Sequence, residues 1–208
     1  MIEVYYAPPS IYGRKVLVAL EEKGLDYEIK KMNFGAKDHK TENYLKLNPN
    51  GEIPTLVDDS FVVYESTAII EYLNDEYPEP PLMPEDSSGR ASVRMVEDFC
   101  DLHLYPQIVR CLYKIKVKQE TIEDADKAEL TTLMKRIQDY LGTQAYVAGA
   151  NFSLADCAVM VAIASLEGLE LGSVIPTSAA MKKYADGLKK RASYKAANLF
   201  SFETVAAC

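Results

Sequence analysis

Asn48-Pro49-Asn50-Gly51-Glu52-Ile53-Pro54-Thr55-Leu56 is the stretch on which the reading of this chain turns, together with Tyr64-Glu65-Ser66 just beyond it. Four turn-forming residues run into an apolar residue, a proline and a β-branched start to a strand. A proline opening a strand is tolerable only where no ladder N–H is needed. A cis Ile53–Pro54 bond, which costs proline little, would bend the chain and turn the N–H and C=O of Ile53 toward a ligand. Ser66 then starts an apolar-periodic segment, where a hydroxyl and free backbone N–H groups suit an anion.

Working outward, Ile2 to Tyr6 is β-prone. Ile11 to Lys23 has helical period through Val16, Leu17 and Leu20, with Gly24 as its stop. Tyr27 to Lys30 alternates as a strand, and His39 to Leu47 is a short, mixed helical piece. Thr55-Leu56-Val57 and Phe61 to Tyr64 flank Asp58-Asp59-Ser60, a hairpin signal. Ser66 to Glu76 returns to helical period. The order β-α-β-α-β-β-α over residues 1–78 is that of a thioredoxin-like domain. Residues 79–86, rich in proline, read as a stiff linker. Over 87–208 strand signals vanish and an all-helical domain is expected. Pro106 should kink or split a helix running from about Ser88 to Lys118. A second helix ends at Leu141, and Ser153 with Asp156 forms a capping-box start for a third, apolar on a wide face.

With 208 residues, 48% hydrophobic and 26% charged, the chain is ordinary for a globular protein with an ample core. A net charge of −8 opposes non-specific binding of nucleic acid, which relies on Lys and Arg neutralising phosphates. A few local donors can still hold a small anion against that field. There is no apolar run of roughly eighteen residues and no basic start followed by an apolar stretch, so neither a membrane span nor a secretory leader is expected. The chain reads as cytoplasmic. Cys100, Cys111, Cys157 and Cys208 lack metal-site spacing and have only two histidines for company, which fits reduced, buried thiols and no metal site.

These segments, in this order, resemble the cytosolic glutathione transferases. The resemblance also takes in Tyr5-Tyr6-Ala7-Pro8-Pro9-Ser10, Arg14-Lys15-Val16, Asp38-His39-Lys40-Thr41 and Ser153-Leu154-Ala155-Asp156, so it runs along nearly the whole chain. It implies a dimeric enzyme of detoxification that joins glutathione, a co-substrate and not a bound cofactor, to small hydrophobic electrophiles. In such proteins the residue before a cis proline pairs its backbone with the cysteinyl part of glutathione, here Ile53 before Pro54. Glu65 and Ser66 would hold the γ-glutamyl end, and His39 and Lys40 the glycine carboxylate.

The chemistry needs a thiolate. Lowering a thiol pKa by two units takes roughly 2.7 kcal/mol of preferential thiolate stabilisation. A hydroxyl beside a helix N-terminus can supply this without ionising. Ser10 ends the loop after the first strand and matches the serine of serine-type members such as the theta and phi classes. The bland alternative is that it only caps the helix. Tyr5, near the catalytic tyrosine of the alpha, mu and pi classes, and Tyr12 are the competing hydroxyls. No cysteine occupies the loop from Ala7 to Tyr12, which counts against thiol exchange. The loop also lacks the Ser-Ser-Cys cluster of the zeta-type isomerases. Tyr12, Tyr105, Ile108, Val109, Leu112 and Tyr113 are candidates for the second-substrate pocket, with core packing the alternative for each. Isomerase, peroxidase and dehalogenase chemistry, and a non-enzymatic binding role, occur on the same architecture.

Overall fold

In the computed structural model, residues 1–198 are described; Cys208, one of the four thiols, lies outside them. The first strand, β1 (Ile2–Tyr6), alternates buried and half-buried side chains, and helix α1 (Ile11–Lys23) follows it. Gly24, at φ 62°, closes α1 in the left-handed conformation that its sequence position calls for. Strand β2 (Tyr27–Lys31) pairs parallel to β1. A 3-10 turn (Asp38–Lys40) and the short helix α2 (Glu42–Leu47), N-capped by Thr41, lead into β3 (Thr55–Asp58) and β4 (Phe61–Tyr64). The sheet order is β2-β1-β3-β4 with the last two pairings antiparallel, and helix α3 (Ser66–Glu76) completes a thioredoxin-like half.

The rest is helical: α4 (Ser87–Phe99), α5 (Tyr105–Lys116), α6 (Asp124–Leu141), α7 (Leu154–Gly168), α8 (Ala179–Lys189) and the short α9 (Tyr194–Ala197). Every residue of α7 from Leu154 to Leu166 is buried, which makes it the centre of this half. Its first turn is built as the sequence expects. Asp156 accepts from the Ser153 backbone N–H at 2.8 Å and hydroxyl at 2.9 Å, and from the Tyr184 hydroxyl at 2.8 Å. Cys100, Cys111 and Cys157 are reduced and buried.

Pro106 neither breaks nor simply kinks its helix. A π-turn (Cys100–Leu104) joins α4 to α5, with the Tyr105 N–H bonding back to the Cys100 carbonyl. Tyr105 is thereby unavailable to the Asp101 carbonyl, and Pro106 has no N–H to offer it. The Tyr12 hydroxyl of α1 takes that vacant acceptor, at 3.3 Å.

Helix α1 is the seam between the halves, packing on α3, α7 and α9. Two of its cations are fully buried. Arg14 donates to the Ser165 hydroxyl at 2.8 Å and the Ala197 carbonyl at 2.9 Å, and burial lowers its pKa to about 10. The Lys15 ammonium bonds Glu97, reaches Asp101 Oδ2 at 2.7 Å and lies 3.3 Å from the Thr67 hydroxyl. Glu97 Oε2 and Asp101 Oδ1 are buried without a hydrogen-bond partner. Burial holds the Asp101 carboxyl above the usual carboxylate range, with Lys15 pulling it the other way. Removing the lysine would leave two buried acids uncompensated, a loss of about 3–5 kcal/mol. Lys15→Met should therefore cost about that much in denaturant unfolding. The raised Asp101 pKa means that the folded state binds its proton more tightly than the unfolded chain. Stability should then fall as pH rises from the ordinary carboxylate range through the folded-state value, more steeply in Lys15→Met than in wild type.

Candidate active site

A cleft of about 1090 Å³ lies between the two halves. Its floor and one wall come from four pieces of the first half: the loop before α1, residues 34–40, the turn before β3 and the start of α3.

The turn from Asn48 to Thr55 is braced from within. Asn48, 1% exposed, donates to the Glu52 carbonyl at 2.9 Å and to the Thr55 hydroxyl at 3.1 Å, and accepts from the Asn50 N–H at 3.0 Å. The Tyr44 hydroxyl from α2 bonds the Glu52 carbonyl as well and sits 2.8 Å from Thr55 Oγ1. Gly51 has φ 60°, and a Cβ there would come within 2.8 Å of the His39 carbonyl, so only glycine lets the 3-10 turn approach. Ile53–Pro54 is cis.

At the start of α3, Glu65 occupies the N-cap position with φ 70° and ψ 117°, outside the conformations that side chains favour. Its carboxylate accepts from the Asn50 side chain at 3.2 Å. Ser66 is the first helical residue, where backbone N–H groups lack intrahelical partners. On the facing turn, Lys40 Nζ reaches the Asn50 carbonyl at 3.3 Å. His39 packs edge-on to Phe34, with Nδ1 buried and unpartnered. Burial first, then Lys40 beside it, lowers the imidazole pKa and favours the uncharged ring.

Ser10 is 7% exposed and N-caps α1: its Oγ accepts from the Gly13 N–H at 3.0 Å. Among the described residues its own proton goes to the Ile53 carbonyl at 3.4 Å, a long contact. The hydroxyl thus has a committed lone pair and a loosely held proton that a better-placed acceptor would take. Tyr12 also faces the cleft, but its hydroxyl is engaged with Asp101, and burial pushes its pKa up to about 12.

The family model for the N-terminal domain of glutathione S-transferases matches residues 9–76, and that for the C-terminal domain matches residues 99–187. The chain belongs to the glutathione S-transferase family. Glutathione S-transferase Z2 of Arabidopsis thaliana is 35% identical over 74% of this chain and 72% of its own length. A stringent starvation protein A homolog of Coxiella burnetii is 29% identical over 94% of this chain and 90% of its own. A delta-class glutathione transferase of Nilaparvata lugens superposes with a TM-score of 0.84, at 30% identity, covering 95% of this chain and 93% of that one.

Among transferase-family positions inferred from sequence, Ser10, Tyr12, His39, Lys40, Ile53, Pro54, Glu65, Ser66 and Tyr113 all line the cleft. Three others do not. Tyr5 packs its ring on Tyr44 outside the cleft. Tyr105 and Ile108, expected in the second-substrate pocket, belong to the core: they are 0% and 1% exposed, and the Tyr105 hydroxyl bonds the Ala158 carbonyl. Helix α5 carries two adjacent apolar stripes, one turned to α7 and one to the cleft, and periodicity cannot say which is which. Phe34, Lys37, Asp101, Leu102 and Val117 line the cleft without having been singled out. Asp101 and Leu102 sit in the π-turn, whose wider winding moves them off an α-helical projection.

Gly13 has a steric role here. A Cβ would lie 2.7 Å from the Tyr6 ring and 3.2 Å from Ser10 Oγ. Gly13→Ala should displace the Ser10 cap and cost about 1–3 kcal/mol by overpacking, read as a lower denaturation midpoint.

Proposed function

We propose that this protein is a glutathione transferase that conjugates the glutathione thiolate to hydrophobic electrophiles, with the Ser10 hydroxyl activating the sulfur. The observation that carries this reading is the loosely held proton of Ser10, whose hydroxyl caps α1 at the base of the cleft and donates only a long bond of 3.4 Å to the Ile53 carbonyl. A thiolate there would accept that proton and gain from the helix dipole. Tyr12 has its hydroxyl committed elsewhere, and Tyr5 lies outside the cleft.

In this reading the γ-glutamyl ammonium meets the Glu65 carboxylate, and its carboxylate meets the hydroxyl and free N–H groups at Ser66. The backbone of Ile53 pairs with the cysteinyl unit. His39 offers a hydrogen bond and Lys40 a charge to the glycine carboxylate. The transferase works as a homodimer in the cytoplasm and serves detoxification. No helix among the described residues is long and apolar enough to cross a membrane. The match to a stringent starvation protein A homolog over 94% of this chain favours a second reading, a non-catalytic binding protein on the same fold. Conjugation assays with purified protein separate the two.

Two measurements test the assignment. Ser66→Ala should raise the Michaelis constant for glutathione about tenfold or more, since a hydrogen bond to a charged group is worth about 1.5–3 kcal/mol; an unchanged constant refutes this placement of the γ-glutamyl end. Ser10→Ala should keep glutathione affinity, lower turnover and move the pH–rate profile to higher pH, whereas Tyr5→Phe should leave that profile in place. The reverse pattern would make this a tyrosine-type enzyme.

A further inference from the structure

The cations of this acidic chain are unevenly placed. Residues 182–195 hold six Lys and Arg against one Asp, a net charge of +5 in a chain of −8, so the remaining residues together carry −13. Two of the six are used inside the fold: Lys189 pairs with Glu167, and Arg191 with Glu22. Lys182, Lys183, Lys190 and Lys195 are exposed and make no ion pair among the described residues. The first three stand on α8 or its C-cap, opposite the buried face of Met181, Tyr184, Ala185 and Leu188. No residue of α8 lines the cleft.

Gly187 lies on this face, four residues after Lys183 and three before Lys190, so the three share one row. Glycine is among the poorest helix formers, and nothing in the fold asks for it here. Its φ is outside the left-handed region, and a Cβ would meet no atom within 4 Å. It leaves a shallow gap where a partner can approach the helix backbone between two ammonium groups. No large apolar side chain of α8 is exposed, so the face has nothing to insert into a bilayer. Lys183 and Lys190 stand ~10 Å apart along the axis. That track is short for a nucleic acid, whose remaining phosphates would meet the acidic body of the protein. Asp186 stands four residues from both Lys182 and Lys190. It repels an unbroken run of acids and selects a partner whose carboxylates are spaced.

We infer that this face of α8 docks an acidic segment of another protein, seated over Gly187, with its carboxylates in two separated groups. One group meets Lys182 and Lys183, the other meets Lys190, and the stretch between them carries no acid opposite Asp186. The ~10 Å between the two ends corresponds to about seven residues of a helix or about three of a strand. The negative charge of the rest of the surface repels such a segment everywhere else, so the field itself orients the encounter. The site lies away from the cleft, and docking there is independent of the transferase reading.

The test is fluorescence anisotropy of the whole protein with a labelled, alanine-rich helical peptide that carries paired Glu residues about seven positions apart. An all-Glu peptide of the same length, a DNA duplex and phosphatidylserine vesicles serve as the other probes. The spaced peptide should bind about twofold more tightly than the all-Glu one, the effect of one like-charge neighbour, and should be released as salt screens the pairs. Joint replacement Lys182→Glu, Lys183→Glu and Lys190→Glu should weaken binding about tenfold or more, since each exposed pair is worth up to about fivefold. The same variant should bind the peptide rewritten with Lys for Glu. Gly187→Leu should raise the denaturation midpoint through better helix propensity and yet weaken the peptide about fivefold, a pairing of effects that a merely structural glycine would not show. Failure of the spaced peptide to bind, or equal binding to the charge-reversed variant, overturns the inference. So does tighter binding of the all-Glu peptide, DNA or vesicles through these lysines, or a Gly187→Leu protein that binds like wild type.

Discussion

The cleft exists only while its two walls, which belong to different halves of the chain, keep a fixed distance, and the ammonium of Lys15 sets that distance. It is fully buried and joins α1 to Glu97 of α4 and Asp101 of the π-turn, with the Thr67 hydroxyl of α3 within reach. Four elements thus converge on one cation. An ion pair of this kind adds little net stability compared with well-packed apolar residues, but it tolerates only one geometry. Arg14 repeats the device one residue earlier, toward α7 and α9. Glu22 does so again, near the far end of α1, through Arg191 and Ser193. Every wall of the site is therefore referred to one helix, and the N-cap of that helix is Ser10.

This arrangement also explains why the first half was easier to read than the second. A strand or a capped helix is written in residues that lie next to one another. The run from Asn48 to Leu56 contains its own braces, and Glu65-Ser66 stands where the next helix starts, so the segments that build the cleft wall of the first half are local. The opposite wall is not. Lys15 looks like any solvated basic residue, and its burial follows only from Glu97 and Asp101, more than eighty positions away. Tyr105 and Val109 are equally apolar and four residues apart, yet one enters the core and the other faces the cleft.

The recognition surfaces divide in the same way. The polar one is made of backbone groups and short side chains whose orientation is enforced by turns, as at Gly51 and at Glu65. Its chemistry is set by geometry and varies little with side-chain size. The apolar one is a row of side-chain tips on a helix, where one substitution changes shape without disturbing the backbone.

The π-turn between α4 and α5 has a consequence of its own. A regular helix spends every interior carbonyl on its own ladder and has nothing to give a neighbour. By winding one residue wide just ahead of a proline, this chain releases a single carbonyl, and the Tyr12 hydroxyl claims it. The irregularity is thus a socket, and it depends on residue count. Deleting one residue between Cys100 and Leu104 would remove the wide turn and rotate one side of the helix against the other, while Pro106 would still leave the carbonyl four residues before it without a donor. The proline thus keeps a carbonyl open, and the π-turn decides which way it and its neighbours face.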